Sequence, residues 1–103
     1  MYNNLLRDAF DHEVITVSTP AIGLTAGKLA PSTGSGGPPA EAALISCAGA
    51  GVRYWLDGAT PTASEGHTLA AGESMLVHGQ NNLRGLRFVR ETADAALAVT
   101  YFH

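Results

Sequence analysis

Four histidines, His12, His67, His78 and His103, carry most of the metal-ligand and acid–base potential of this chain. A zinc ion needs three or four nitrogen, sulfur or oxygen donors that converge, usually with two of them close in sequence. The best set on offer is His67, Glu73 and His78, which flank a single turn. A plainer role for His67 is to anchor the loop between Asp57 and Gly72 by side-chain hydrogen bonds. Nucleophilic chemistry is no better supplied. Ser64 or Ser74 can be grouped with His67 and Asp57, but loop-rich sequences offer such groupings freely, and no Gly-x-Ser-x-Gly elbow occurs. Neither Gly49-Ala50-Gly51 nor Gly34-Ser35-Gly36-Gly37 opens a helix or leads to Lys-Ser/Thr, so neither is a phosphate cradle. Asp8 and Asp11 are paired acids near the terminus, where solvation explains them. The expectation is a protein that is not an enzyme and has no catalytic residues, metal or cofactor.

Charge narrows the partners. The chain has 103 residues, 6 basic against 9 acidic, and a formal net charge of −3. Nucleic-acid binding draws its energy from clustered Lys and Arg that release counterions. Arg84, Arg87 and Arg90 form the single basic cluster, and Glu91 and Asp94 follow it. They read either as an anion site or, more simply, as a solvated strand face paired with carboxylates. No nucleic-acid partner is expected. Cys47 is the lone cysteine, set in the apolar run 42–47, and reads as a small buried hydrophobe. No stretch approaches the apolar length of a membrane span, so no membrane partner is expected either. Residues 1–8 lack the basic-then-apolar pattern of a signal peptide, which fits a reducing cytoplasm as the place of synthesis.

The elements that would position these side chains follow a period of two. Residues 12–18 (HEVITVS), 42–47, 52–56, 74–78, 83–90 and 96–102 read as strands, with a weaker extended piece at 22–30. Residues 31–39 are an unbroken loop of turn formers. Thr60-Pro61 looks like a capped helical turn stopped by Gly66. Strands 83–90 and 96–102 pair most simply as a closing hairpin around Thr92-Ala93-Asp94. Short strands at this spacing predict an all-β fold, an antiparallel β-sandwich of immunoglobulin-like or jelly-roll-like order. The predicted division is an N-terminal arm at 1–10 and one sandwich domain at 11–103.

Binding candidates come from the same alternation. If Val52, Tyr54 and Leu56 face the core, Trp55 and Arg53 face outward. A large outward aromatic marks either a contact surface or a spot covered by a loop of its own domain, such as 31–39. Tyr2, Leu5, Leu6 and Phe10 give the arm an apolar character that needs a docking surface. The candidate partner-binding residues are therefore Tyr2, Leu5, Leu6, Phe10, Arg53 and Trp55.

The run Val52-Arg53-Tyr54-Trp55-Leu56-Asp57-Gly58-Ala59-Thr60-Pro61-Thr62, continued by Gly66-His67-Thr68-Leu69-Ala70-Ala71-Gly72-Glu73-Ser74, resembles small structural proteins of tailed bacteriophages. Leu86-Arg87-Phe88-Val89-Arg90 and Leu97–Phe102 extend the resemblance, which covers about residues 13–102. It implies a virion component, assembled in the host cytoplasm, that decorates or cements the capsid. The implied partners are the major capsid protein or other virion subunits, with a homo-oligomer, trimer or dimer, as the working form. A small polar residue is usual in that family where this chain has Trp55. A tail or neck position is a close variant. The competing reading is a carbohydrate- or host-surface-binding module, with Trp55 as a stacking platform and Arg53 or Asp57 as polar partners.

Overall fold

A computed structural model describes residues 8–29 and 39–103. The strands are β1 (Ala9–Val17), β2 (Ala42–Ala48), β3 (Val52–Trp55), β4 (His67–Leu69), β5 (Ser74–His78), β6 (Arg87–Arg90) and β7 (Ala95–Phe102). Two short helices, α1 (Ala26–Leu29) and α2 (Gln80–Gly85), lie in the connections. The strands form an antiparallel sheet in the order β1-β7-β2-β5 and a second in the order β4-β3-β6. The fold is an all-β sandwich.

Its wiring is nested. Ile22 exchanges two backbone hydrogen bonds with Phe88, both 2.8 Å, and so acts as a one-residue strand beside β6. With that bridge counted, the first strand pairs with the last, the second with the second-last, and so inward to β3 and β4. This is a long antiparallel ribbon rolled over itself, the arrangement of a jelly roll rather than of an immunoglobulin domain.

Alternation decides what is inside. Ile15, Val17, Ile45, Leu97, Val99 and Tyr101 of the larger sheet face Val52, Leu69 and Phe88 of the smaller one. The helix α2 closes one end of the sandwich. Its Leu83 and the following Leu86, three residues apart on one face, are 1% and 0% exposed. On the open side, Leu24 and Leu29 from the connection after β1 complete the core. A Leu29–Ala40 backbone bond of 2.8 Å joins the two ends of the 30–39 segment.

Several sequence expectations change here. The strand β1 begins at Ala9, so Phe10 belongs to the sheet rather than to an arm. Residues 83–85 are helical: the Leu83–Leu86 spacing of three, open to either reading in sequence, here puts both side chains on one face of a helix end. Residues 60–66 form a two-residue turn in which Thr62 and Glu65 bond each other, with the Thr62 hydroxyl accepting from the Ser64 and Glu65 amides. The 22–30 piece is the Ile22 bridge followed by α1. The strands β6 and β7 are not a hairpin. β7 carries no charged residue on either side and takes a central place between β1 and β2, whereas β6 begins and ends on arginine and joins the other sheet.

Candidate functional site

The residues singled out by sequence do not converge. Tyr2, Leu5 and Leu6 lie outside the described residues, as does the 31–39 loop apart from Pro39. A β-bulge at Ala9–Asp11 shifts the register, and Phe10 packs against the core, its ring 4.2 Å from that of His103 and 6.4 Å from that of Tyr101. Arg53 is tied down on the smaller sheet. Its Nε donates to Glu91 at 3.0 Å and its Nη1 to the Gly66 carbonyl at 3.2 Å. Trp55 is half-buried, with His67 set edge-on at 5.3 Å. The Tyr54 ring lies 5.4 Å from the same histidine, so three rings pack together at this end of the sheet. Asp57, the other polar partner a sugar-stacking Trp55 would need, accepts from the Ala59 amide.

The remaining chemistry is dispersed in the same way. Among the described residues no three His, Cys, Asp or Glu side chains come close enough to hold a metal ion, and His67, Glu73 and His78 are not brought together. Cys47 is buried and donates to the Ala50 carbonyl at 3.0 Å; burial first, then the Glu73 carboxylate, pushes its thiol up. The arginine cluster is split. Arg90 pairs with Asp94, whose carboxyl is held below its ordinary range by that bond and by Ser18. Arg84 and Arg87 line a recess of about 440 Å³ beside Gly23 and Leu24, and there Arg87 donates to the Arg84 and Leu86 carbonyls.

One polar network does bridge elements. Tyr101, 0% exposed, donates its hydroxyl to Glu13, and Glu13 also accepts from the Thr25 hydroxyl at 2.6 Å. Beside it, Lys28 donates to Asp11 at 2.9 Å. The lysine, followed by the His12 amide, lowers the Asp11 carboxyl from its ordinary value. These bonds fasten the α1 connection to β1. Their role is structural.

The surface that stands out is the outer face of the larger sheet. In register across β1, β7, β2 and β5, one row reads His12–Thr100–Leu44–Leu76 and the next Val14–Ala98–Ser46–Ser74. A third, Thr16–Ala96–Ala48, continues it, while Phe102–Ala42–His78 borders the other end. The alternate residues fill the core, so these point outward, with Ala42 itself covered at 2% exposure. None is Lys, Arg, Asp or Glu. Val14 is 70% exposed, Leu44 40% and Leu76 42%, which makes this the main display of large apolar side chains on the described surface. The outer face of the smaller sheet, by contrast, carries Arg53 and Arg87.

Alternation in β3 points to Trp55 and not to this face. The signal was present: β2, β5 and β7 (AALISCA, SMLVH and AALAVTYF) contain no charged residue at either parity. A strand with only one face in the core ordinarily alternates apolar with charged or strongly polar residues. No family model, curated protein or solved structure matches the chain.

Proposed function

We propose that this chain is a non-enzymatic assembly module, a structural protein of a tailed-phage virion that decorates or cements the capsid shell. The observation that carries the reading is the uncharged outer face of the larger sheet. Charged residues are depleted at the centres of protein–protein interfaces, and a contiguous apolar patch on a soluble domain marks a contact surface. Jelly rolls serve as viral capsid modules and also as lectins, so the wiring is compatible with either use. The neutral face favours assembly, because a sugar site needs convergent polar groups and both candidates beside Trp55 are already engaged. The phage assignment itself rests on the sequence resemblance. On this reading the partners are the major capsid protein or neighbouring virion subunits, and a tail or neck position is the nearest variant. Weak single contacts suffice, since a lattice of identical subunits multiplies them.

The test is co-sedimentation of the purified chain with undecorated shells of its own phage. Saturable binding at a fixed ratio to the shell subunit is the expected result. A folded chain that stays in the supernatant at every concentration removes the capsid reading. Titration of a glycan panel followed by Trp55 fluorescence then becomes the decisive measurement.

A further inference from the structure

We infer that the neutral outer face of the β1-β7-β2-β5 sheet is covered by the same face of a second copy of this chain, in a face-to-face two-fold dimer. The inference rests on the reading of that face as an assembly surface and adds its occupant. Three observations select a second copy.

The first is charge. A two-fold interface sets a patch against itself, so any charged residue near its centre meets its own like charge. The chain carries a formal charge of −3 with 15% charged residues, yet the whole four-stranded face presents none. A patch shaped for a charged partner would carry complementary charges. A patch shaped for its own copy gains by carrying none.

The second is size. Four strands of 9, 8, 7 and 5 residues, about 4.8 Å apart and rising about 3.3 Å per residue, give a flat face on the order of 450 Å² before side-chain relief is counted. Two copies then bury on the order of 1,000 Å² or more, the lower bound for a specific interface.

The third is relief. Large side chains, Leu44, Leu76 and Phe102, occupy one end of the face, while Ala96, Ala48 and Ser46 occupy the other. A two-fold axis lying in the interface and running across the strands lays the large end of each copy over the small end of its mate. Two such sheets then stack about 10 Å apart, as the two sheets of a sandwich do. The arrangement leaves the Trp55–His67 end of the smaller sheet outside the dimer, free to meet a shell.

The experiment is sedimentation equilibrium of the full chain from low to high micromolar concentration. It is repeated with Leu44→Lys/Leu76→Lys, which changes a directly paired and already half-exposed couple. Val14→Lys, on a different strand at a site 70% exposed, serves as an independent second variant that cannot disturb the core. A matched control, Ala59→Lys/Thr60→Lys, adds the same charge to the exposed loop after β3. The expected result is a two-chain species for the wild type and the control, with association weakened about 100-fold or more in both face variants. Circular dichroism should show an unchanged fold throughout. A wild type of single-chain mass at all concentrations overturns the inference, as does an oligomer that the face variants leave intact. Shell binding separates the two proposals. A dimer that ignores shells keeps this inference and removes the capsid reading, whereas a monomer that binds shells does the reverse.

Discussion

At the residue scale the most consequential side chain is Tyr101, which sequence alternation assigns to the inner face of the last strand and nothing more. Its hydroxyl reaches Glu13, 88 positions away in the chain, and through Glu13 it meets the Thr25 hydroxyl. Burial, and then the carboxylate beside it, raises the phenol well above its ordinary value of 10.0. The sign of the linkage follows. Below pH 10 both folded and unfolded chains hold the proton. Above it the unfolded chain releases the proton while the folded one keeps it, so stability falls as pH rises, by up to about 1.4 kcal/mol per pH unit. Urea unfolding on either side of pH 10 should show this decline in the wild type, and Tyr101→Phe should lack it. At neutral pH the same substitution should cost about 2 kcal/mol, the range for a hydrogen bond to a charged acceptor. Equal pH slopes in the two proteins would remove Tyr101 as the cause. The pairing was not legible beforehand, because period two assigns a face to a residue and says nothing of its partner across the sheet.

At the scale of elements, alternation located the strands at 12–18, 42–47, 52–56, 74–78 and 96–102, because each has one parity that fills the core. Its failures have a common origin. Where Leu83 and Leu86 stand three apart, both a strand and a helix end can account for them, and α2 is chosen because its cap closes the sandwich. Gly72, at φ +90, makes the turn into β5. Gly85 has a different duty that no turn rule reveals. Its carbonyl accepts from the Gly58 amide at 2.9 Å, and a β-carbon there would collide with the Leu56 carbonyl oxygen. Gly85→Ala should therefore push α2 off the end of β3 and cost about 3 kcal/mol, at the upper end for overpacking. Thermal melting of this variant beside Gly58→Ala, whose surroundings are open but whose φ is +89, separates crowding from backbone strain. A Gly85→Ala melt equal to wild type would show that the contact yields without cost. As for the candidate site, the sequence pointed at Trp55 and Arg53 because they interrupt an apolar strand, yet both are engaged at home. The neutral face announces itself only as an absence of charge at both parities of β2, β5 and β7, a quieter signal than an aromatic or an arginine.

At the scale of the whole molecule, the two surfaces divide the work of the proposed function. The uncharged face suits a second copy, and the shell contact falls to what the dimer leaves outside. That makes a prediction about the residues ahead of β1. Since the strand starts at Ala9, changes meant to probe the arm must stop short of Asp8, or they cut into the sheet. Replacing Tyr2, Leu5 and Leu6 together by serine should leave the fold and the two-chain mass unchanged and abolish co-sedimentation with shells. Undiminished shell binding by that variant would transfer the contact to the Trp55–His67 end of the smaller sheet. The jelly-roll order, left open against an immunoglobulin order by the sequence, depends on the Ile22–Phe88 bridge, and a one-residue strand has no periodicity to detect.

The nested wiring also sets a timetable. The strand β1 is the first of the seven to be synthesised, and β7, its strand partner among the described residues, is the last. Until β7 arrives, the middle of the larger sheet is missing, and β1 and β2 have no neighbour between them. Folding of such far-separated pairs is slow beside that of locally paired chains, and a growing chain meanwhile exposes Ile15 and Val17 as an unsatisfied strand edge. A chain broken before Ala95 therefore lacks the strand that joins β1 to β2, and its larger sheet cannot close. The order of the strands ties closure of the larger sheet to the last strand made.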